Sequence, residues 1–187
     1  MKLLYLILAD IVFGYIPQAA GCAICLFAVN NQKLKSRQYW LTAAIFSAIA
    51  FLIRAAYNIG LIDFGFHTII IWSIFILVAI WYNKFSAMKS ICSILLSGIF
   101  IAFAELVTAL AMLIGFGEEN FTAMMNNTQT IDGKITKAVC GIPANILFVI
   151  LVYILYFVIN ALRKRKPKRT NTSEFPLETN NYAEPKL

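Results

Sequence analysis

The feature that most limits what this chain can become is a series of apolar runs, several of them 18 residues or longer, separated by short polar or basic stretches. A run of that length with few charges makes enough helix to cross the hydrocarbon core of a bilayer. No water reaches that core, so each backbone N–H and C=O must find its partner within the segment, and the runs have to be helices. Hydrophobic residues make up 60% of the 187 and charged residues only 13%, against about half and about a quarter in a soluble domain. These observations predict an all-α integral membrane bundle of about five transmembrane helices. The spans are expected at 3–29, 39–59, 66–82, 90–114 and 139–162, forming one membrane domain over 1–162. A polar loop is expected over 115–137, and 163–187 reads as a basic segment followed by a disordered cytoplasmic tail.

The N-terminal run carries Asp10 and is longer than the apolar core of a signal peptide, so it reads as a retained helix, kinked at Pro17. The net charge of +7 would raise nucleic acid as a partner in a soluble protein. Here the basic residues flank apolar runs, which points to topology and excludes that partner. Lys33, Lys35 and Arg37 follow the first span, Lys84 and Lys89 flank the turn after the third, and six basic residues follow the fifth. The opposite side holds only Lys134 and Lys137 among the loops, beside Asp63, Glu118, Glu119 and Asp132. The excess of Lys and Arg on one side predicts an N-out/C-in arrangement in a cell membrane, of the multi-pass bacterial cytoplasmic kind. Arg163, Lys164, Arg165, Lys166, Lys168 and Arg169 are expected to contact lipid headgroups as a juxtamembrane cluster.

Charges inside spans are costly and usually face a bundle interior or a cavity. Asp10, Arg54 and Glu105 are the three here, and each shares a helical face with small or polar residues. Asp10 aligns with Gly14, Gln18, Gly21 and Cys25; Arg54 with Ala43, Ser47, Ala50 and Asn58; Glu105 with Ser97, Gly98, Ala102, Thr108 and Ala109. Small residues at such spacings let helices approach closely, so all three charges are expected to point inward. By helical rise they lie about 8 to 14 Å below one end of their spans. His67 opens the third span on that side, so Asp10, Arg54, His67 and Glu105 form a candidate ligand-binding or structural cluster, with an Arg54–Glu105 pair within reach.

Nothing in the sequence carries a catalytic signature. Cys22 and Cys25 have CxxC spacing but lie inside a span, where they read as small packing residues, and no metal or cofactor is expected. A cysteine nucleophile must touch its base, yet Cys92 and His67 fall at opposite ends of neighbouring spans. A membrane peptidase or its accessory factor is therefore the weakest reading, behind a small transporter or channel.

Arg54, the stretch Phe64-Gly-Phe-His-Thr68, the turn Lys84-Phe-Ser-Ala-Met-Lys89 and Glu105 together resemble a known family. They are similar to the N-terminal multi-span membrane sensor region of GHKL-type histidine kinases of Gram-positive bacteria. The resemblance covers residues 1–162, and no kinase domain follows it. It implies a non-catalytic sensor-like or regulatory module in the lipid bilayer, with a ligand, a second copy or a histidine kinase as its partner.

Overall fold

Pro17 governs how the chain enters its first helix. It has no N–H to donate, and its ring crowds the carbonyl four residues back, at Phe13. The computed structural model, which describes residue 8 and residues 10–58, 60–62, 66–126 and 131–165, resolves this conflict with a π-helical stretch, Asp10–Tyr15. That wider turn runs straight into helix α1, Ile16–Val29. The kink expected at Pro17 thus takes the form of a change in helix type.

Six further helices follow: α2, Arg37–Asn58; α3, Phe66–Trp81; α4, Ala87–Phe116; α5, Glu118–Asn126; α6, Ile131–Cys140; and α7, Ile142–Arg165. There is no strand among the described residues. Four segments are long and apolar enough to cross a membrane: Ile11–Val29, Arg37–Tyr57, Ala87–Phe116 and Ala138–Lys164. The protein is therefore all-helical with four membrane-length helices, where five were expected. The difference is α3, which is apolar but has 16 residues, about 24 Å of helix against a core of about 30 Å.

The expected polar loop over 115–137 is largely helical. Gly117 ends α4 with φ 79°, a left-handed conformation that glycine adopts without strain. Glu118 and Glu119 then occupy the first turn of α5, where carboxylates complement the helix dipole. At the other end of the chain, α7 runs to Arg165, three residues past the expected boundary.

The core is built around α1, which packs against α2, α4 and α7. Every residue from Cys22 to Ala28 is at most 4% exposed, so this half of α1 is buried on all sides. Small residues allow this. Gly21 lies beneath the Phe148 ring of α7, so close that a methyl group there would collide with it. On α4, Ser90, Ser93 and Ser97 are buried, each hydroxyl donating to the carbonyl one turn earlier. The Cys25 thiol reaches the Ser93 carbonyl at 3.3 Å. Phe27 meets Tyr39 and Phe85 edge-on at 5.6 and 5.3 Å, and Phe46 of α2 stacks on Phe75 of α3 at 3.8 Å.

The pairings also give directions. Gln18, Gly21 and Ala28 of α1 meet Asn145, Phe148 and Arg163 of α7 in ascending order, so these helices run parallel. Thr42, Phe46 and Tyr57 of α2 meet Asn83, Phe75 and His67 in descending order, so α2 and α3 are antiparallel. Helices α3 and α4 form a second hairpin across a short turn, with Trp72 over Gly98. One end of the bundle thereby collects Lys33, Lys35, Arg37, Lys84, Lys89, Arg163 and Lys164. The opposite end carries the π-helical stretch, α5 and α6.

Candidate functional site

The π-helical turn leaves the Phe13 carbonyl without a backbone donor from Pro17, and a neighbouring helix supplies one. The Asn145 side-chain amide donates to that carbonyl at 2.6 Å. Asn145 Oδ1 in turn accepts from Gln18 Nε2 at 3.0 Å. Gln18 Oε1 accepts a longer contact, 3.4 Å, from the Arg54 guanidinium. The guanidinium also lies over the Tyr15 ring, 5.2 Å from its centroid, within the range of a cation–π interaction. A polar chain thus links the first, second and last long helices at the end opposite the basic residues.

His67 closes one side of this end. Its ring stacks on Tyr57 at 4.7 Å, one turn beyond Arg54 on α2, and its Nε2 is 3.2 Å from Thr68 Oγ1. The structure therefore brings Arg54 and His67 to the same end of the α2–α3 hairpin. Arg54 is half-buried, and among the described residues its side-chain partners are a neutral amide oxygen and an aromatic face.

Glu105 departs from expectation. It is exposed, between exposed Phe103, Leu106 and Val107, and not turned into the bundle. Among the described residues no ion pair joins it to Arg54, because α3 lies between α2 and α4 and those two helices do not pack together. Its depth also changes. With Gly98 beside Trp72, seven residues further along α4 reach Glu105, and six residues back along α3 reach Phe66, that helix's first residue. Glu105 thus lies level with the start of α3, while α4 continues past it for about 16 Å. The side chain of Asp10 lies outside the described residues, although its backbone opens the π-helical stretch.

The juxtamembrane cluster is also redistributed. Arg163 was expected at lipid headgroups, but its guanidinium donates to the Ala28 carbonyl at 2.8 Å and so caps the C-terminal end of α1. Lys164 is exposed. The Arg165 side chain, Lys166, Lys168 and Arg169 lie outside the described residues, as does the rest of the tail. Cys22 and Cys25 are free and buried, and Cys92 is exposed near the start of α4, at the other end of the hairpin from His67. Among the described residues no three His, Cys, Asp or Glu side chains come together.

Charge alone missed Asn145 and Tyr15. A signal existed for Asn145: it is an uncharged polar residue in an apolar run, and Pro17 leaves one carbonyl on a neighbouring helix in need of a donor. No family model, curated protein or solved structure matches the chain, so the likeness to kinase sensor regions rests on its short motifs alone.

Proposed function

We propose that this chain is a non-catalytic, five-span membrane module of sensor-like or regulatory type, N-out/C-in, which receives an anionic group on Arg54. The observation that carries the reading is a half-buried guanidinium in a membrane-length helix whose partners among the described residues, Gln18 and Tyr15, are neutral. A cation so placed gains from an anion that enters from the nearby end of the bundle.

Five spans are supported by direction. Helices α1 and α7 run parallel, which supports an odd number of crossings between them, with α3 as one of the three. A short span is accommodated by local thinning of the bilayer or by flanking side chains that reach the interface. The basic turns gather at one end, which supports placing that end in the cytoplasm.

A transporter reading draws on one observation, the interruption of the first helix beside the polar cluster. Two measurements on the full chain separate the readings. In proteoliposomes, flux of protons, sodium, potassium or chloride should equal that of empty vesicles; flux lost in Arg54→Gln would sink the sensor reading. In detergent, inorganic phosphate at constant ionic strength should raise the unfolding temperature of the wild type and of Arg54→Lys, but not of Arg54→Gln. An equal rise in all three would remove Arg54 from the proposal.

A further inference from the structure

An apolar groove of about 480 Å³ runs between the first segment and α2 on the outside of the bundle. Tyr15 and Phe51 close one end, Ala20, Ala44 and Ala48 form the floor, and Trp40 stands at the other end. The one hydroxyl that α2 adds to the lining, Ser47, donates to its own helix at Ala43, so it asks for no polar partner. From Trp40 to Phe51 is about 16 Å of helix, close to half of the roughly 30 Å hydrocarbon core. The groove therefore has the length of one leaflet. It begins at the basic end of the bundle, where Trp40 is 66% exposed. Arg37 lies one turn before Trp40 on the same stripe of α2, and it is exposed, as are Lys33 and Lys35 in the preceding turn.

We infer that this groove holds an acyl chain of a phospholipid with a net-negative headgroup, drawn from the leaflet at the basic end, with its phosphate on Arg37. Three features converge on that occupant. The wall is apolar and matches a leaflet in length. Its mouth carries an indole, a side chain suited to the headgroup boundary. Cations stand at the depth where a phosphate lies, each contributing about 1 kcal/mol of attraction to an anionic surface. A second copy of the chain fits less well. A parallel copy seated in the groove brings its own Arg37, Lys33 and Lys35 to the same depth, setting like charges against each other. The inference is separate from the Arg54 reading, since Arg54 lies at the other end of α2.

The test uses the full chain carrying Trp72→Phe and Trp81→Phe, which leaves Trp40 as its only tryptophan. The protein is titrated in mixed micelles with phosphatidylglycerol or phosphatidylcholine bromine-labelled on the acyl chain, and quenching of Trp40 is followed. Saturable quenching is expected at lower mole fraction for phosphatidylglycerol than for phosphatidylcholine. Arg37→Gln should weaken the phosphatidylglycerol site about fivefold, and Arg37→Lys should retain it. Ala44→Leu with Ala48→Leu, which fills the floor while leaving every charge in place, should abolish saturation. Equal, non-saturating quenching by both lipids, unchanged when the floor is filled, would mean ordinary annular contact and overturn the inference. Loss of a dimer on filling the floor would overturn it in favour of a second copy. The phosphate-dependent unfolding shift at Arg54 should survive Ala44→Leu/Ala48→Leu, so failure of one proposal does not imply failure of the other.

Discussion

From Cys22 to Ala28 the first membrane segment is buried on every side, whereas from Asp10 to Gln18 it is a π-helical turn and the first residues of α1, joined to neighbouring helices by polar side chains. The same helix thus contains a packed half and a wired half. In the packed half each position is set by volume, because interiors of this density have no room to adjust. In the wired half one proline frees a carbonyl, and the structure around it is organised by who donates to that carbonyl. The contrast assigns stability to one end of the helix and puts the proposed ligand chemistry at the other.

Two glycines in this segment give the sharpest way to break that contrast. Gly21 faces the Phe148 ring with no space for a methyl group, while an added methyl at Gly14 would meet nothing within 4 Å. Gly21→Ala should lower unfolding stability by about 1–3 kcal/mol, the usual cost of overpacking. Gly14→Ala should stay within about 0.5 kcal/mol of wild type. Reversible unfolding in mixed detergent micelles measures both, and equal losses at the two positions would show that the halves do not differ in packing.

A smaller effect is expected where the wiring itself is cut. Asn145→Ala removes the donor to the Phe13 carbonyl and the acceptor of the Gln18 amide. Interhelical hydrogen bonds in membranes are individually modest, so the expected loss is about 1 kcal/mol. The more telling readout is local. Amide exchange at residues 11–18 should speed up while residues 22–28 stay protected. Uniform acceleration along the segment would mean that the two halves open as one unit.

What the sequence makes legible follows the same division. The four membrane-length helices can be read from their apolar runs, and Pro17 marks where α1 changes character. Helices α5 and α6 could not be read that way, since a short polar helix at the end of a bundle has no apolar run to announce it. Orientation about a helix axis was harder still. Glu105 shares a small-residue stripe with Ser97 and Thr108, both buried, yet it faces out. Ala104, its immediate neighbour, is fully buried, and one residue is about 100° of helix rotation. A stripe defined by i+3 and i+4 steps is broad enough to contain both the packed face and its edge. Only the position of α3 beside α4 decides on which side Glu105 falls.

Glu105 also gives the finest test, because the two arrangements of the charges differ most in what its removal costs. If Arg54 and Glu105 formed a pair within the bundle, neutralising one partner would strand the other, at about 3–5 kcal/mol. With Glu105 exposed at the level where α3 begins, and Arg54 held by Gln18 and Tyr15, Glu105→Gln should change stability by less than about 0.5 kcal/mol. The double variant with Arg54→Gln should then be additive within about 0.5 kcal/mol, as for sites without a shared partner. A measured coupling well above that would bring the two charges together and return Glu105 to the cluster. Additivity would instead leave Arg54, among the described residues, with Gln18 and Tyr15 for company, the condition on which the proposed anion site rests.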